Sequence, residues 1–396
     1  MNSEKPIAGD LRQREAAPGR AASVPPAFGP VMAVVLLAAG LLLSPFLPAS
    51  QDRAEAQVTV AEDPERDVLV TLRGRVQPRF QLELRDGLED RSSFFMRRVR
   101  LDVRGHVLTE SLTFRIYPAL ERSASLRDGW INYAFSPEAE LRFGQYTVPF
   151  QWHRFISSTR LHFAERALAS ATFGFPSGRD IGMMLHGRLE DRGLGYAVGI
   201  FDGAGRNVRE SDSSGNMVSA RVVHAVLGEI PRDETDFQRS SEPDLAVGLA
   251  GQSAWRNAAR DWSLGRSPAG VRRGDWATGT AFAHLSWQGV SLTADGYLRH
   301  VSPEAPTVED YDGWAYMVTG GYAVLPERLE AVARVSQVKL DRDDPTTKET
   351  EWGLGVNVYQ SGHLAKTRVQ WLARRITGPT GPEVDHTVLV EQHLMF

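Results

Sequence analysis

One pattern recurs along most of this chain: apolar and polar residues alternate with a period of two, over segments longer than an ordinary strand. Val70, Leu72, Gly74, Val76, Phe80, Leu82 and Leu84 face Thr71, Arg73, Arg75, Gln77, Arg79, Gln81, Glu83 and Arg85 across one such segment. Val99, Leu101, Val103 and Val107 oppose Arg98, Arg100, Asp102, Arg104 and His106, and Trp352, Leu354, Val356 and Val358 oppose Glu351, Asn357 and Tyr359. The closing "TVLVEQHLMF" repeats the pattern, with Val388, Val390, Leu394 and Phe396 against Thr387, Glu391 and His393 and only Gln392 out of place. A period of two is the mark of a strand with one greasy face and one polar face.

The segments run about 9 to 15 residues, the length that crosses a bilayer at a tilt. In lipid every backbone N–H and C=O must find a partner inside the protein, so spanning strands imply a closed barrel. The pattern predicts an all-β fold, a transmembrane antiparallel β-barrel of about sixteen strands. They are expected at 68–85, 93–107, 111–119, 126–135, 140–147, 180–189, 194–201, 216–227, 244–255, 276–287, 289–300, 313–324, 328–338, 350–362, 363–376 and 384–396. An even count puts both ends of the barrel on one side, so the last strand closes on the first and Phe396 sits at the interface there. Connections alternate between short turns and longer loops, the longest being 148–179. The stretch Glu229 to Asp244 is too long for a turn, which leaves a decorated turn or a slip of register.

The 396-residue chain divides on this reading into 1–56, 57–67 and 68–396. Residues 1–56 read as a secretory signal peptide: basic Arg12, Arg14 and Arg20, the apolar run Val31 to Leu43, and Ala54 and Ala56 as a small-x-small site. Its n-region is long, as a start codon lying downstream would explain, and an uncleaved anchor is the rival. Residues 57–67 form a short periplasmic lead-in to the barrel. The net charge is −4 and stays so without the first 56 residues, which argues against nucleic-acid binding. The chain has no cysteine, which excludes disulfides, thiolate metal sites and thiol nucleophiles.

The segments "LRDGWINYAF", "LRFGQYTVPFQWHR", "GRDIGMMLHGRL", "GYAVGIFDGAGRN", "GGYAVLPERLEAVARVSQV" and "GLGVNVYQSGHLAKTRVQW", in that order, resemble the phosphate-selective porin O/P family over roughly residues 65–396. The resemblance implies a sixteen-stranded outer-membrane barrel of a Gram-negative bacterium, commonly a homotrimer, conducting small anions such as phosphate or polyphosphate. It also implies a long third loop folded into the lumen, at 148–179. Members selective for phosphate carry a tyrosine cluster near the mouth; the arginine-bearing stretch Arg256 to Asp275 has no tyrosine. A terminal aromatic on the last strand resembles the signal read by the outer-membrane assembly machinery.

Parity turns Arg73, Arg75, Arg79, Arg98, Arg100, Arg104, Arg115, Arg142, Arg188, Arg221, Arg334, Lys366 and Arg368 inward, while many acidic residues fall in loops. An anion pore needs fixed positive charge inside low-dielectric walls, and arginine stays charged and grips oxyanions with a planar fork. These side chains are expected to line the pore, with Arg154, Arg160 and Arg166 narrowing it from the infolded loop. The competing expectation pairs each arginine with Asp102, Asp128, Asp180 or Glu165 as a structural network. A general or sugar-type porin is the alternative function. An outer-membrane enzyme would have to use Ser157 or Ser158 with His153 or His162, without any motif in support, and a secreted soluble β-protein would leave the lipid-like faces unexplained. The histidines share no metal-ligand spacing, the glycine pairs lack a dinucleotide fingerprint, and no cofactor is expected.

Overall fold

The structure is a computed structural model that describes residues 57–86, 88–208, 216–258, 273–304, 308–378 and 381–396. The expected signal segment, 1–56, lies outside the described residues. Seventeen strands follow in order: β1 (Val58–Asp63), β2 (Val68–Leu84), β3 (Arg91–Val107), β4 (Thr109–Ala119), β5 (Ser125–Ser136), β6 (Ala139–Thr147), β7 (Arg179–Leu189), β8 (Leu194–Phe201) and β9 (Met217–Leu227). Then come β10 (Asp244–Ala258), β11 (Arg273–Trp287), β12 (Val290–Pro303), β13 (Tyr311–Leu325), β14 (Leu329–Lys339), β15 (Lys348–Ser361), β16 (Ala365–Gly378) and β17 (Gly381–Met395).

Strands β2 to β17 pair antiparallel with their neighbours, and β17 pairs with β2, so sixteen strands close into a barrel. Each begins and ends within three residues of the expected position. Closure leaves no open edge. The last residue completes it: Phe396 and Gly74 exchange backbone hydrogen bonds of 3.0 and 2.6 Å. A Cβ on Gly74 would lie 2.3 Å from the Phe396 ring, so the glycine is what lets the aromatic lie flat on the wall. Strand β1 lies within the 57–67 lead-in and pairs with β2 from Leu72 to Val68, beyond the point where β17 ends.

The parity faces divide as the alternation requires. Ile116, Ile131, Phe143, Leu249, Leu298 and Leu354 are exposed outward, whereas Arg75, Gln77, Arg98, Asp102, Asn357 and Glu391 are buried inside. The apolar outer belt is the surface a bilayer would cover.

Residues 148–178 fold into the lumen and pack on one side of it. The short helix Leu168–Phe173, with Phe150 and Ala167, packs on Ala250, Tyr297, Ala315, Met317 and Val338 of β10 and β12–β14. Trp152, Ile156 and Leu161 pack on Val223, Ala246 and Phe282 of β9–β11. Small inward residues make the room: a Cβ on Gly321 would meet His162 at 2.4 Å, and one on Gly353 would meet Phe163 at 2.8 Å.

The stretch between β9 and β10 joins two paired strands, and the ladder slips by one residue just beside it, Leu245 pairing with Leu227 but Ala246 with Ala225. It is therefore a decorated turn, and it enters the barrel from the end that carries the termini. Glu234 is buried and accepts from His153 Nε2 at 2.7 Å and from the His162 backbone N–H at 2.8 Å, while Phe237 stacks on Tyr359. The infolded loop and this turn thus meet inside the lumen, where Arg160 also pairs with Asp233 at 3.0 Å.

Candidate functional site: an arginine-lined passage

Because the infolded loop covers the β9–β16 wall, the open space lies between the loop and the β2–β7 wall. It is a cavity of about 670 Å³ lined by fourteen arginines against three carboxylates, Asp102, Asp128 and Glu165. Ten of the sixteen basic residues singled out from sequence reach it: Arg73, Arg75, Arg98, Arg100, Arg104, Arg115 and Arg142 from the wall, and Arg154, Arg160 and Arg166 from the loop.

The other six are not in its lining. Arg79 is held by Glu391 and Glu165, Arg221 lies over the Phe155 and Phe282 rings, and Arg188 is exposed near the end of β7. Arg334, Lys366 and Arg368 face inward as parity requires, but on the wall that the loop covers. Arg368 is fully buried and donates to the carbonyls of Ser158, Thr159 and Leu161 at 3.0 to 3.2 Å. Arg334 donates to the Glu165 carbonyl at 2.8 Å, pairs with Glu351 at 3.0 Å and lies over the Phe163 ring. Lys366, also buried, sits by Tyr359 and His363. Arg334 and Arg368 bind the underside of the loop, because a loop buried without secondary structure leaves carbonyls that need donors.

Ion pairs hold much of the remaining array in place. Asp102 accepts from Arg115 at 2.7 and 2.9 Å and also pairs with Arg104. Asp128 pairs with Arg179 at 2.6 Å and Arg115 at 3.1 Å, and Arg100 pairs with Glu121 at 2.9 Å. Glu165, on the loop, takes both arms of Arg97 at 2.6 and 2.8 Å and lies 2.8 Å from Arg79 and 3.6 Å from Arg98. Burial alone would raise the Glu165 carboxyl, but Arg98, Arg97 and Arg79 outweigh it and hold it well below the usual carboxylate range. Asp180 takes no arginine; the backbone N–H groups of Ile181, Gly203 and Gly205 occupy it at 2.9, 2.6 and 3.1 Å.

Other guanidinium groups meet neutral partners. Arg75 donates to Tyr117 Oη at 2.5 Å and Ser158 Oγ at 3.1 Å, and Arg142 lies 4.2 Å from the Trp130 ring centre and donates to Asn132. Arg166 donates to the carbonyls of His153 and Ile156, and Arg154 to Gln151 and the Ser177 carbonyl. Burial, then the nearby Arg179, pushes Arg154 down to about 10, so it still carries its charge at neutral pH. The passage therefore keeps positive charge that no carboxylate among the described residues neutralises.

Four arginines in the lining were not singled out from sequence: Arg97, Arg127, Arg179 and Arg206. Arg179 begins β7 and Arg206 belongs to a loop, where parity carries no information. Arg97 and Arg127 sit at irregularities in the strand ladders, and prolines across the pair were the available signal.

The serines and histidines of the enzyme alternative are engaged elsewhere. Ser157 bonds to Thr159, Ser158 to Arg75, and His153 to Glu234. His162 does stand between Ser291 at 3.1 Å and Glu330 at 3.0 Å, in the order of a nucleophile relay. All three are at most 1% exposed, beneath the loop, so no substrate reaches them. Among the described residues no group of three His, Asp or Glu side chains could hold a metal ion. Most of the tyrosine-free loop stretch, 259–272, lies outside the described residues.

Solved structures share the fold. An anion-selective porin from Comamonas acidovorans superposes with a TM-score of 0.61 at 15% identity, over 83% of this chain and 99% of that one. The outer-membrane channel DcaP of Acinetobacter baumannii gives 0.59 at 12% identity, over 86% and 100%. OmpT of Vibrio cholerae, expressed in the outer membrane, gives 0.54 at 12% identity, over 86% and 100%. No curated protein matches the chain in sequence. The profile of one family, "Phosphate-selective porin O and P", matches residues 70–390, nearly the whole barrel. By that match the chain belongs to the phosphate-selective porin O and P family and is a porin of the bacterial outer membrane.

Proposed function

We propose that this porin passes small anions in preference to cations, and that phosphate and related oxyanions are among them. The observation that carries the reading is the one-sided passage, in which fourteen arginines face three carboxylates. An anion in such a channel meets a series of moderately attractive sites, which speeds passage where one deep site would trap it. Arg73, Arg75, Arg98, Arg100, Arg104, Arg115 and Arg142 form the wall of this ladder, and Arg154, Arg160 and Arg166 form its opposite side. Arg334 and Arg368 act by fixing the loop, while Lys366 is buried beside Tyr359 and His363 away from the passage.

The test is the reversal potential of the refolded porin in a planar bilayer under a potassium chloride gradient, followed by titration with phosphate. A strong anion preference, with chloride current reduced by low phosphate, is expected. Balanced permeability would favour a general or sugar-type porin, in which the ion pairs at Asp102, Asp128 and Glu165 cancel the arginine field. We also infer a homotrimer, with the exposed apolar positions Phe94, Ile131, Phe135 and Phe143 of β3–β6 as its contact face. Delivery by the outer-membrane assembly machinery through the strand that ends in Phe396 belongs to the same reading. Sedimentation in detergent distinguishes a trimer from a monomer.

A further inference from the structure

Two prolines interrupt the ladders of the arginine wall, and each interruption adds an arginine to the passage. On β2, Gln77 pairs with Arg98 but Pro78 pairs with Met96, which leaves Arg97 as an extra residue on β3. On β4, Tyr117 pairs with Asp128 but Pro118 pairs with Leu126, which leaves Arg127 as an extra residue on β5. Proline brings no N–H to a ladder, and a bulge on the facing strand re-aims the residues around it. Consecutive residues, which alternation would send to opposite faces, therefore both enter the cavity: Arg97 with Arg98, and Arg127 with Asp128.

The two added arginines meet different surroundings. Arg97 is taken up by Glu165. Among the described residues Arg127 has no carboxylate partner and its Nε is buried without a hydrogen bond, because Asp128 beside it is occupied by Arg179 and Arg115. A second group without a carboxylate partner among the described residues belongs to the loop after β8: Arg206, whose Nη1 is likewise buried without a hydrogen bond. Both guanidinium groups belong to residues that line the same cavity. Gln145 brackets them. Its Oε1 accepts from the Asn207 backbone N–H at 2.7 Å, and its Nε2 donates to the Arg127 carbonyl at 3.0 Å. Like charges held together by a neutral bracket, with donors unused, form a place for an anion.

Resting on the anion-porin reading, we propose that Arg127 and Arg206 are the specificity-determining pair of this passage, capturing an oxyanion at the mouth opposite the termini, with Pro118 and Gln145 as positioning residues. Arg127 lies near the outer end of β5 and Arg206 in an outer loop, so an entering anion meets them before the side chains lower on the wall. Arg97, neutralised by Glu165, serves the loop instead.

The experiment measures chloride current in planar bilayers as inorganic phosphate is added, for wild type and for Arg127→Gln, Arg206→Gln, Arg97→Gln and Gln145→Ala. A heat-modifiable gel band checks folding of each. The half-blocking phosphate concentration is expected to rise about tenfold in Arg127→Gln and in Arg206→Gln, and to stay within about twofold in Arg97→Gln. In Gln145→Ala, which removes no charge, it is expected to rise while the reversal potential in chloride is unchanged. Arg127→Lys, which keeps the charge without the fork, is expected to fall between wild type and Arg127→Gln. An anion-selective wild type whose phosphate block is the same in Arg127→Gln and Arg206→Gln overturns the pair and leaves the porin reading standing. A wild type without anion preference overturns both.

Discussion

Replacing Glu165 by Gln isolates one negative charge in a passage otherwise dominated by arginine. The carboxylate is about a third exposed to the passage, at 32% of its side-chain surface, and its partners Arg79, Arg97 and Arg98 all come from the β2–β3 wall. A chloride passing at about 6 Å from it is repelled by roughly 0.7 kcal/mol at the dielectric constant of water and by about 3 kcal/mol at an effective value near 20. The wet passage argues for the lower end, which corresponds to about a threefold change in chloride occupancy. The loop does not depend on this carboxylate alone. Arg79 keeps Glu391 at 2.6 Å, the Glu165 carbonyl keeps Arg334 at 2.8 Å, and the Ala164 N–H keeps Gln370 at 2.9 Å. Potassium loses an attraction of the same size, so reversal potentials under a salt gradient should show the chloride-over-potassium permeability ratio rising about tenfold. An unchanged ratio would mean that permeating ions do not pass near Glu165. A falling ratio with a jump in conductance would mean that the carboxylate chiefly holds the loop.

Changing Arg100 and Arg142 to Glu should reverse two charges of the ladder and lower chloride permeability in the same assay; unchanged selectivity would refute their place in it. The buried clamp beneath the loop should respond to pH on both sides. Burial lowers His162, but Glu330 and Glu234 outweigh it and raise the group above the ordinary histidine range, so its contribution is complete below about pH 6.5 and is lost as pH rises through the raised value. Burial raises Glu234, but His153 and His162 outweigh it and depress the group, so its contribution holds above about pH 4.3 and is lost as pH falls through the lowered value. The unfolding temperature should peak between these limits, and His162→Gln should flatten the alkaline side and, by removing one of the two causes that depress Glu234, weaken the acid side in part; an alkaline fall of the same size in the variant would exclude His162 as its cause. Gly74→Val would drive a side chain into the Phe396 ring, whose atoms lie 2.3 Å from the Cβ position, and should reduce the yield of folded barrel severalfold. Normal yield would show that the ring moves aside at little cost.

The narrowing of this barrel comes from both ends. The third loop descends from one side, the Glu229–Asp244 turn rises from the other, and they join at His153, His162 and Arg160. Two segments that brace each other are harder to displace than either alone, which favours a fixed constriction over a mobile one. The fixed position matters for selection, because charge placed in advance costs no reorganisation when an ion arrives.

Sequence alone determined which residues face in and which face out, and with that the strand count, the closure on Phe396 and the positive lumen. Alternation is a local property: each residue's side of a strand follows from its neighbours, and lipid on one face permits no other arrangement. Tertiary structure alone decided which inward residues meet the passage. Arg368 and Arg75 share the same parity, yet one is spent on loop carbonyls and the other lines the cavity, because the loop packs against a single wall. That choice depends on alanines and glycines on β9–β15, spread over a long stretch of sequence. Arg97 and Arg127 escaped the parity rule for a related reason: a bulge belongs to a pair of strands, and neither strand by itself shows where its partner's proline will fall.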